Sequence, residues 1–143
     1  MSYLLDVNVL LALCWEEVEL HAAARAWFGR HAAKTGWATT PLTESGFLRL
    51  SMNPRLFPVP ASFREALGIL DALRATPGHR FLEGAPMEGK DLPVGRIQGY
   101  RQVVDATLLS TARRHGCQLA TFDRGIASLA TEPEWKKVLA LVG

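Results

Sequence analysis

The sequence predicts a single α/β domain over residues 1–143, a three-layer fold with a central, mostly parallel β-sheet flanked by helices. Two observations predict this class. Short apolar runs with the length of buried strands alternate along the chain with segments whose apolar residues recur at helical spacing. Several of the helical segments also begin at capping residues, which mark where a helix starts.

The predicted strands are short and separated by helices, as crossover connections between parallel strands require. In chain order they are Tyr3–Leu5, Trp37–Ala38, Arg80–Leu82 and Gln118–Ala120, followed by an edge strand within residues 135–142.

The helices are predicted from apolar spacing and from their ends. Residues 7–15 are apolar on almost all sides, which is typical of a buried helix. A second helix runs from Leu20 to the terminating Gly36. Thr40 and Pro41 begin the next helix as its cap and its first-turn proline.

Two more helices follow in the second half of the chain. Residues 62–65 form a capping box, in which Ser62 and Glu65 cap each other's backbone amides at a helix start. Residues 103–115 form a helix that ends at Gly116. Between these helices, residues 83–99 are rich in glycine and proline and predict a long loop, which in a compact domain is often functional.

Composition excludes several classes of protein. No apolar run is long enough to span a membrane, and the first residues carry no export signal, so we expect a cytoplasmic protein. Cys14 and Cys117 are expected to be reduced thiols. The four histidines are scattered, which argues against a zinc site.

The charge balance permits a nucleic-acid partner. There are 16 basic and 14 acidic residues, and most of the bases are arginine, which pairs well with phosphate. If four acids bind a metal, the remaining chain carries 16 − 10 = +6.

Two aspartates are placed together by the predicted topology. Asp6 follows the first strand directly, and Asp123 follows the fourth strand after two residues. The carboxyl ends of parallel strands share one edge of the sheet, where ligands bind. Each aspartate taken alone is also explained as a helix cap.

Asp105 and Glu44 are the other two candidate site residues. Asp105 falls inside the apolar arc of its helix, together with Val104 and Leu108. A carboxylate buried there needs an arginine, a helix amino terminus or a metal as its partner. Glu44 lies early in its own helix. Four carboxylates that meet would repel one another, and a divalent cation such as Mg²⁺ removes that penalty.

The residues around these acids resemble those of a known family. In chain order the matching stretches are Leu5-Asp6-Val7-Asn8-Val9-Leu10, Thr43-Glu44, Gly99-Tyr100-Arg101-Gln102-Val103-Val104-Asp105-Ala106 and Ala120-Thr121-Phe122-Asp123-Arg124-Gly125. The sequence from Met1 to about Leu129 resembles a PIN domain and, more narrowly, the VapC toxins of bacterial toxin–antitoxin pairs.

The resemblance implies a ribonuclease that depends on Mg²⁺ or Mn²⁺. Asp6 and Asp105 would be the main metal ligands, Asp123 would act through water, and Glu44 would orient the attacking water. Asn8 and Thr121 would support the site by hydrogen bonds. The resemblance further implies an RNA substrate, a homodimer and a cognate, VapB-like antitoxin that covers the groove.

Position in the chain suggests which residues would hold the RNA. Arg101 and Arg124 each lie within four residues of a site acid and are expected to contact the RNA backbone. The alternative is that each forms an internal salt bridge with an acid of the site.

Two other functional classes remain open at this point. A response-regulator receiver also has an aspartate after a strand, but it would usually show an acidic pair before that aspartate and a lysine on a late strand. Neither is found at the matching places. A non-catalytic interaction module with an acidic pocket is the second alternative, and metal-dependent cleavage of RNA would distinguish it from an enzyme.

Overall fold

The computed structural model describes residues 1–143 and contains the predicted strands and helices, with bounds that differ by a few residues. The strands are β1 (Tyr3–Leu5), β2 (Trp37–Thr39), β3 (His79–Phe81), β4 (Gln118–Thr121) and β5 (Leu139–Leu141). The helices are α1 (Val7–Cys14), α2 (His21–Trp27), α3 (Ala33–Thr35), α4 (Pro41–Ser51), α5 (Phe63–Arg74), α6 (Val103–Arg114) and α7 (Pro133–Lys136).

All five strands form one sheet in the order β3-β2-β1-β4-β5, and every neighbouring pair is parallel. This confirms the predicted α/β class and the edge position of the last strand. The chain moves outward from β1 in one direction through β2 and β3, and in the other through β4 and β5. The sheet therefore has a topological switch point between β1 and β4, where α/β proteins bind ligands at the carboxyl edge.

Successive side chains of a strand point to opposite faces of the sheet, so each strand contributes to two cores. Leu5 and Trp37 pack on one face with Phe47 of α4 and Leu70 of α5. On the other face, a separate cluster is built from Leu4, Ala38, Leu109, Leu119 and other buried residues. The two clusters give the predicted three layers.

Two regions are more complex than their sequence pattern indicated. The helix that starts with α2 continues through a π-helical turn, Phe28–Ala32, into α3, and it ends at Gly36 with a φ of 98°. The predicted loop at residues 83–99 contains two 3-10 turns, Gly89–Asp91 and Val94–Arg96. A third 3-10 turn, Tyr100–Gln102, leads into α6.

The two cysteines are unpaired, as predicted. Burial raises the pKa of the Cys14 thiol to about 12, so that thiol stays protonated and unreactive near neutral pH. None of the helices has the length and continuous hydrophobicity needed to cross a bilayer.

Candidate active site

Asp6 lies at the carboxyl end of β1 and is the N-cap of α1. Its Oδ1 accepts a hydrogen bond from the Val7 amide at 2.7 Å, and its Oδ2 accepts one from the Thr121 hydroxyl at 2.8 Å. The residue is only 8% exposed. Asp6 is thus both a helix cap and a nearly buried acid at the switch point of the sheet.

A hydrogen-bond network centred on Thr121 joins the end of β4 to the start of α1. The Thr121 hydroxyl, while donating to Asp6, accepts from the Asn8 side-chain amide at 3.1 Å and from the Asp123 backbone amide at 3.0 Å. The Asn8 side-chain oxygen accepts from the Phe122 amide at 3.1 Å. These bonds fix the Asp6 carboxylate and the backbone of Asp123 relative to each other.

Asp123 caps the 3-10 turn Arg124–Ser128, and its Oδ1 accepts from the Gly125 amide at 2.8 Å. A Cβ atom at position 125 would lie 3.0 Å from that oxygen, so glycine permits the close approach. The Asp123 side chain is exposed, unlike that of Asp6. It therefore faces solvent at the rim of the site.

Asp105 is half-buried near the start of α6. Burial, with smaller contributions from the negative charges of Asp6 and Asp123, raises its pKa to about 6. Burial also raises the pKa of Asp6, with a contribution from the charge of Asp123, against the lowering effect of the bonds from Thr121 and Val7. These three residues, which we call the acidic cluster, thus act on one another electrostatically.

No basic side chain compensates the acidic cluster. None of the ion pairs in the structure includes Asp6, Asp105 or Asp123. An arginine partner for Asp105, one of the explanations of its position, is absent. Fewer residues around Asp105 are buried than the helical spacing predicted, because Val104 is 49% exposed.

The donor set of the acidic cluster suits a hard divalent cation. All its available donors are carboxylate oxygens, which Mg²⁺ and Mn²⁺ prefer over the nitrogen and sulfur ligands of zinc sites. The side chains do not form a ready-made cage of three or more metal ligands. Mg²⁺ commonly binds through one or two carboxylates and completes its octahedron with waters, so a pair of aspartates at this edge is sufficient.

Glu44 occupies a different electrostatic setting. Its Oε1 accepts from Arg74 Nη1 at 2.7 Å, and its Oε2 accepts from the Thr39 hydroxyl at 2.7 Å. The charges that raise the pKa of Asp105 are those of Asp6 and Asp123, and Glu44 is not among them. Instead of four carboxylates that all repel one another, the structure contains three uncompensated acids and one that is paired with an arginine.

Sequence reasoning missed the residues around Glu44. Arg74 is the last residue of α5. Thr39 is the last residue of β2, which extends one residue further than the predicted strand Trp37–Ala38. His79, at the start of β3, contacts the Thr39 hydroxyl through Nε2 at 2.8 Å. The separations of 30 and 40 residues along the chain leave no local pattern that would reveal these contacts.

Arg101 and Arg124 are both exposed and take no part in any ion pair. The guanidinium of Arg101 lies against the ring of Tyr100, 5.7 Å from its centroid. Neither arginine therefore forms the internal salt bridge with a site acid that was the alternative expectation. Both guanidinium groups are available to an anionic ligand.

The sequence matches the model of the PIN domain over residues 3–132. It is 49% identical over 130 residues to Ribonuclease VapC38 of Mycobacterium tuberculosis (strain H37Rv), a match that covers 90% of each chain. It is 38% identical over 133 residues to Ribonuclease VapC39 of Mycobacterium tuberculosis (strain CDC 1551), covering 92% of this chain and 95% of the relative.

Solved structures share the fold at much lower sequence identity. The VapBC2 complex of Rickettsia felis, bound to a DNA fragment from its promoter, superposes over 100% of both chains with a TM-score of 0.66 and 14% identity. Mycobacterium tuberculosis VapC20, described as a sarcin-ricin loop cleaving toxin, gives a TM-score of 0.60 at 17% identity, with 89% of this chain and 94% of that chain covered.

Proposed function

This chain belongs to the PIN-domain family, and we propose that it is a metal-dependent endoribonuclease, the VapC-type toxin of a bacterial toxin–antitoxin pair that acts in the cytoplasm. The observation that carries the proposal is the acidic cluster, which lies at the switch point of a parallel sheet and has no basic partner in the protein. The similarity to ribonucleases over nine-tenths of the chain supports RNA as the substrate.

Each residue of the site has a proposed role. Asp6 and Asp105 would hold Mg²⁺ or Mn²⁺, and Asp123, which is exposed, would act through a water molecule. Asn8 and Thr121 keep the Asp6 carboxylate and the Asp123 backbone in place by the hydrogen bonds described above. A divalent cation bound here supplies charge neutralisation at the phosphate and a more acidic water.

Glu44 has the role of orienting the water that attacks the phosphorus atom. Its carboxylate is held by two donors, so its direction is fixed, and it retains lone pairs with which to accept a hydrogen bond from water. Arg101 and Arg124 would hold the RNA backbone, since both are exposed and unpaired. Phosphate contacts of this kind position the substrate without selecting its sequence.

A protein partner is also part of the proposal. A groove of about 320 Å³ beside Asn8 and Phe122 is lined mostly by apolar side chains, among them Leu11, Val18, Leu20, Leu56 and Phe57. An antitoxin tail that fills it would end next to the acidic cluster. The exposed Val103 and Val104 of α6 provide apolar surface for a homodimer, the oligomeric state that the family resemblance implies.

The experiment is a cleavage assay on protein purified free of antitoxin. The protein is incubated with total bacterial RNA in Mg²⁺, in Mn²⁺ and in chelator, and the new RNA ends are mapped by sequencing. We expect discrete cleavage sites in at least one metal and none in chelator, with activity restored by excess metal. If folded protein leaves the RNA intact in both metals, the non-catalytic interaction module is the better explanation.

A further inference from the structure

We propose that Arg74, Thr39 and His79 are positioning residues that fix the direction of the Glu44 carboxylate for the attacking water. The inference rests on the proposed function, because it assigns these residues a part in that reaction through Glu44. None of the three lies in the sequence stretches that define the family resemblance. We refer to Arg74, Thr39, His79 and Glu44 together as the Glu44 network.

The Glu44 network is assembled from four separate elements. Glu44 lies in the first turn of α4, Thr39 is the last residue of β2, Arg74 is the last residue of α5 and His79 is the first residue of β3. Each Glu44 oxygen has its own donor, with both contacts at 2.7 Å. Two bonds that approach from different elements define the rotation of the carboxylate, whereas one bond alone would leave it free to turn.

The direction of the hydrogen bonds follows from the number of available protons. Thr39 has one hydroxyl hydrogen, and it is donated to Glu44 Oε2. The 2.8 Å contact between Thr39 Oγ1 and His79 Nε2 therefore requires the imidazole to be the donor, so Nε2 carries a hydrogen. Packing of the His79 ring against Trp37, with centroids 4.7 Å apart, holds the imidazole in place.

Charge explains why the guanidinium belongs to this network. The Glu44 side chain is 13% exposed, and an unpaired carboxylate at that depth would be costly. Arg74 Nη1 neutralises it, while Arg74 Nη2 is held by Asp71 of the same helix. Glu44 and Arg74 therefore form a neutral ion pair, and Glu44 does not add a fourth uncompensated negative charge to the site.

The first test compares substitutions of Arg74 with a matched control on the same helix. Arg74→Gln removes the ion pair, Arg74→Lys keeps a charge that can reach one oxygen, and Arg64→Gln removes an exposed arginine that has no ion pair. We expect Arg74→Gln to lower kcat by about 10- to 100-fold with little change in KM, as for partners of site residues elsewhere. Arg74→Lys should recover most of the loss, and Arg64→Gln should match the parent.

Thr39 provides a second, independent pair of variants. Thr39→Val keeps the shape of the side chain but removes the hydroxyl, and Thr39→Ser keeps the hydroxyl. We expect a fall in kcat for valine and rescue by serine. Circular dichroism and thermal melts check that each variant is folded, so a loss of rate is separated from a loss of structure.

A double substitution tests whether Arg74 acts through Glu44. If it does, Arg74→Gln combined with Glu44→Gln should be no slower than Glu44→Gln alone, because the effects of coupled residues do not add. Additive losses, an effect of Arg74→Gln on KM alone, or an unchanged kcat would each overturn the inference.

The network also has a readout that needs no cleavage. In the parent, ¹⁵N NMR of the His79 ring at mildly alkaline pH should show the hydrogen on Nε2, and Thr39→Val should alter those shifts while Thr39→Ser should not. A parent that shows this pattern but cuts no RNA would contradict the proposed function and remove the catalytic role. A parent that cuts RNA with the hydrogen on Nδ1 would contradict the Glu44 network alone.

Discussion

Asp6 of the acidic cluster and Thr39 of the Glu44 network lie at the carboxyl ends of the neighbouring strands β1 and β2, yet the charges of the acidic cluster and of Glu44 are compensated differently. The side chains of Asp6 and Asp123 accept hydrogen bonds only from neutral groups, the Asp105 side chain accepts none, and the pKa values of Asp6 and Asp105 are raised. Glu44 instead has an arginine against one oxygen. The acidic cluster has no cationic partner within the protein, whereas Glu44 is paired with the Arg74 guanidinium.

This difference indicates where a ligand cation belongs. Buried or half-buried carboxylates that repel each other destabilise a fold unless something positive joins them. At Glu44 the chain supplies that charge from α5, and at the acidic cluster it supplies none. The uncompensated region is therefore the one expected to respond to metal, and the compensated region is expected to respond to changes in its own arginine.

The largest effect is expected on cleavage. Asp6→Asn or Asp105→Asn keeps the size of the side chain, and at position 6 the cap acceptor, but removes the charge of a proposed metal ligand. Either change should lower the rate by about 100-fold or more, since a bound metal contributes several kcal/mol to charge stabilisation. Initial rates at saturating Mg²⁺ and far-UV circular dichroism measure activity and folding together.

A matched control for this experiment is Asp91→Asn, which removes an acid from an exposed ion pair with Arg114 away from the cluster. That variant should cut RNA at the parental rate. If Asp105→Asn is as active as Asp91→Asn, Asp105 is not a metal ligand. The lack of a basic partner would then not identify the acidic cluster as the metal site.

The next effect concerns stability and metal. Without metal, removing one negative charge by Asp105→Asn should leave the protein as stable as the parent or more stable, because the carboxylate there is repelled by two others. Metal at about 100 times its Kd should stabilise the parent by roughly 2.7 kcal/mol, and the variant should gain much less. Thermal melts in chelator and in Mg²⁺ or Mn²⁺ measure both quantities.

A large loss of stability for Asp105→Asn in chelator, with no response of the parent to metal, would show that Asp105 has a structural role instead. Glu44→Gln serves as the contrasting variant. It breaks an ion pair and leaves Arg74 without one of its partners, so it should be destabilised in chelator and should keep more of the response to metal.

The two regions also differ in how far the sequence could predict them. Asp6 and Asp123 could be placed at one edge because each follows closely on a strand, and the carboxyl ends of parallel strands share one edge of the sheet. The partners of Glu44 could not be found, because Arg74 and His79 meet it only after α5 and β3 pack against their neighbours. Helical spacing likewise put Val104 inside the core, since spacing alone cannot show where the covering layer ends.

A smaller effect is expected in the dependence of stability on pH. The folded-state pKa of Asp105 is about 6, against an ordinary value of 3.8, so between these values the folded protein binds more protons than the unfolded chain. Stability without metal should therefore be highest at low pH within this window and should fall as pH rises from about 4 to about 6. Urea unfolding in chelator at several pH values measures the trend.

Asp105→Asn should flatten that dependence, and saturating Mg²⁺ should do the same in the parent by favouring the ionised form. Asp6, whose pKa is also raised, contributes in the same direction, and Glu65, whose pKa is lowered by its bonds to Ser62, contributes in the opposite one, so the informative quantity is the difference between parent and variant. A difference that does not change across the window would contradict the raised pKa of Asp105.

The smallest effect concerns the arginines, and it compares a free guanidinium with a paired one. Arg101 is exposed and in no ion pair, whereas Arg74 is held by Glu44 and Asp71. In a protein made inactive by Asp105→Asn, Arg101→Ala should weaken RNA binding and reduce the slope of log K against log salt by about 1, the effect of losing one phosphate contact. Arg74→Gln should leave the slope unchanged, because the Arg74 guanidinium already has partners in the protein.

Arg30→Ala, which replaces an exposed arginine in the π-helical turn before β2, controls for the loss of net charge. Equal slopes for Arg101→Ala and Arg30→Ala would mean that Arg101 makes no specific phosphate contact. A reduced slope for Arg74→Gln would mean that the Glu44 network opens to bind RNA, and the division into compensated and uncompensated regions would then hold only for the free protein.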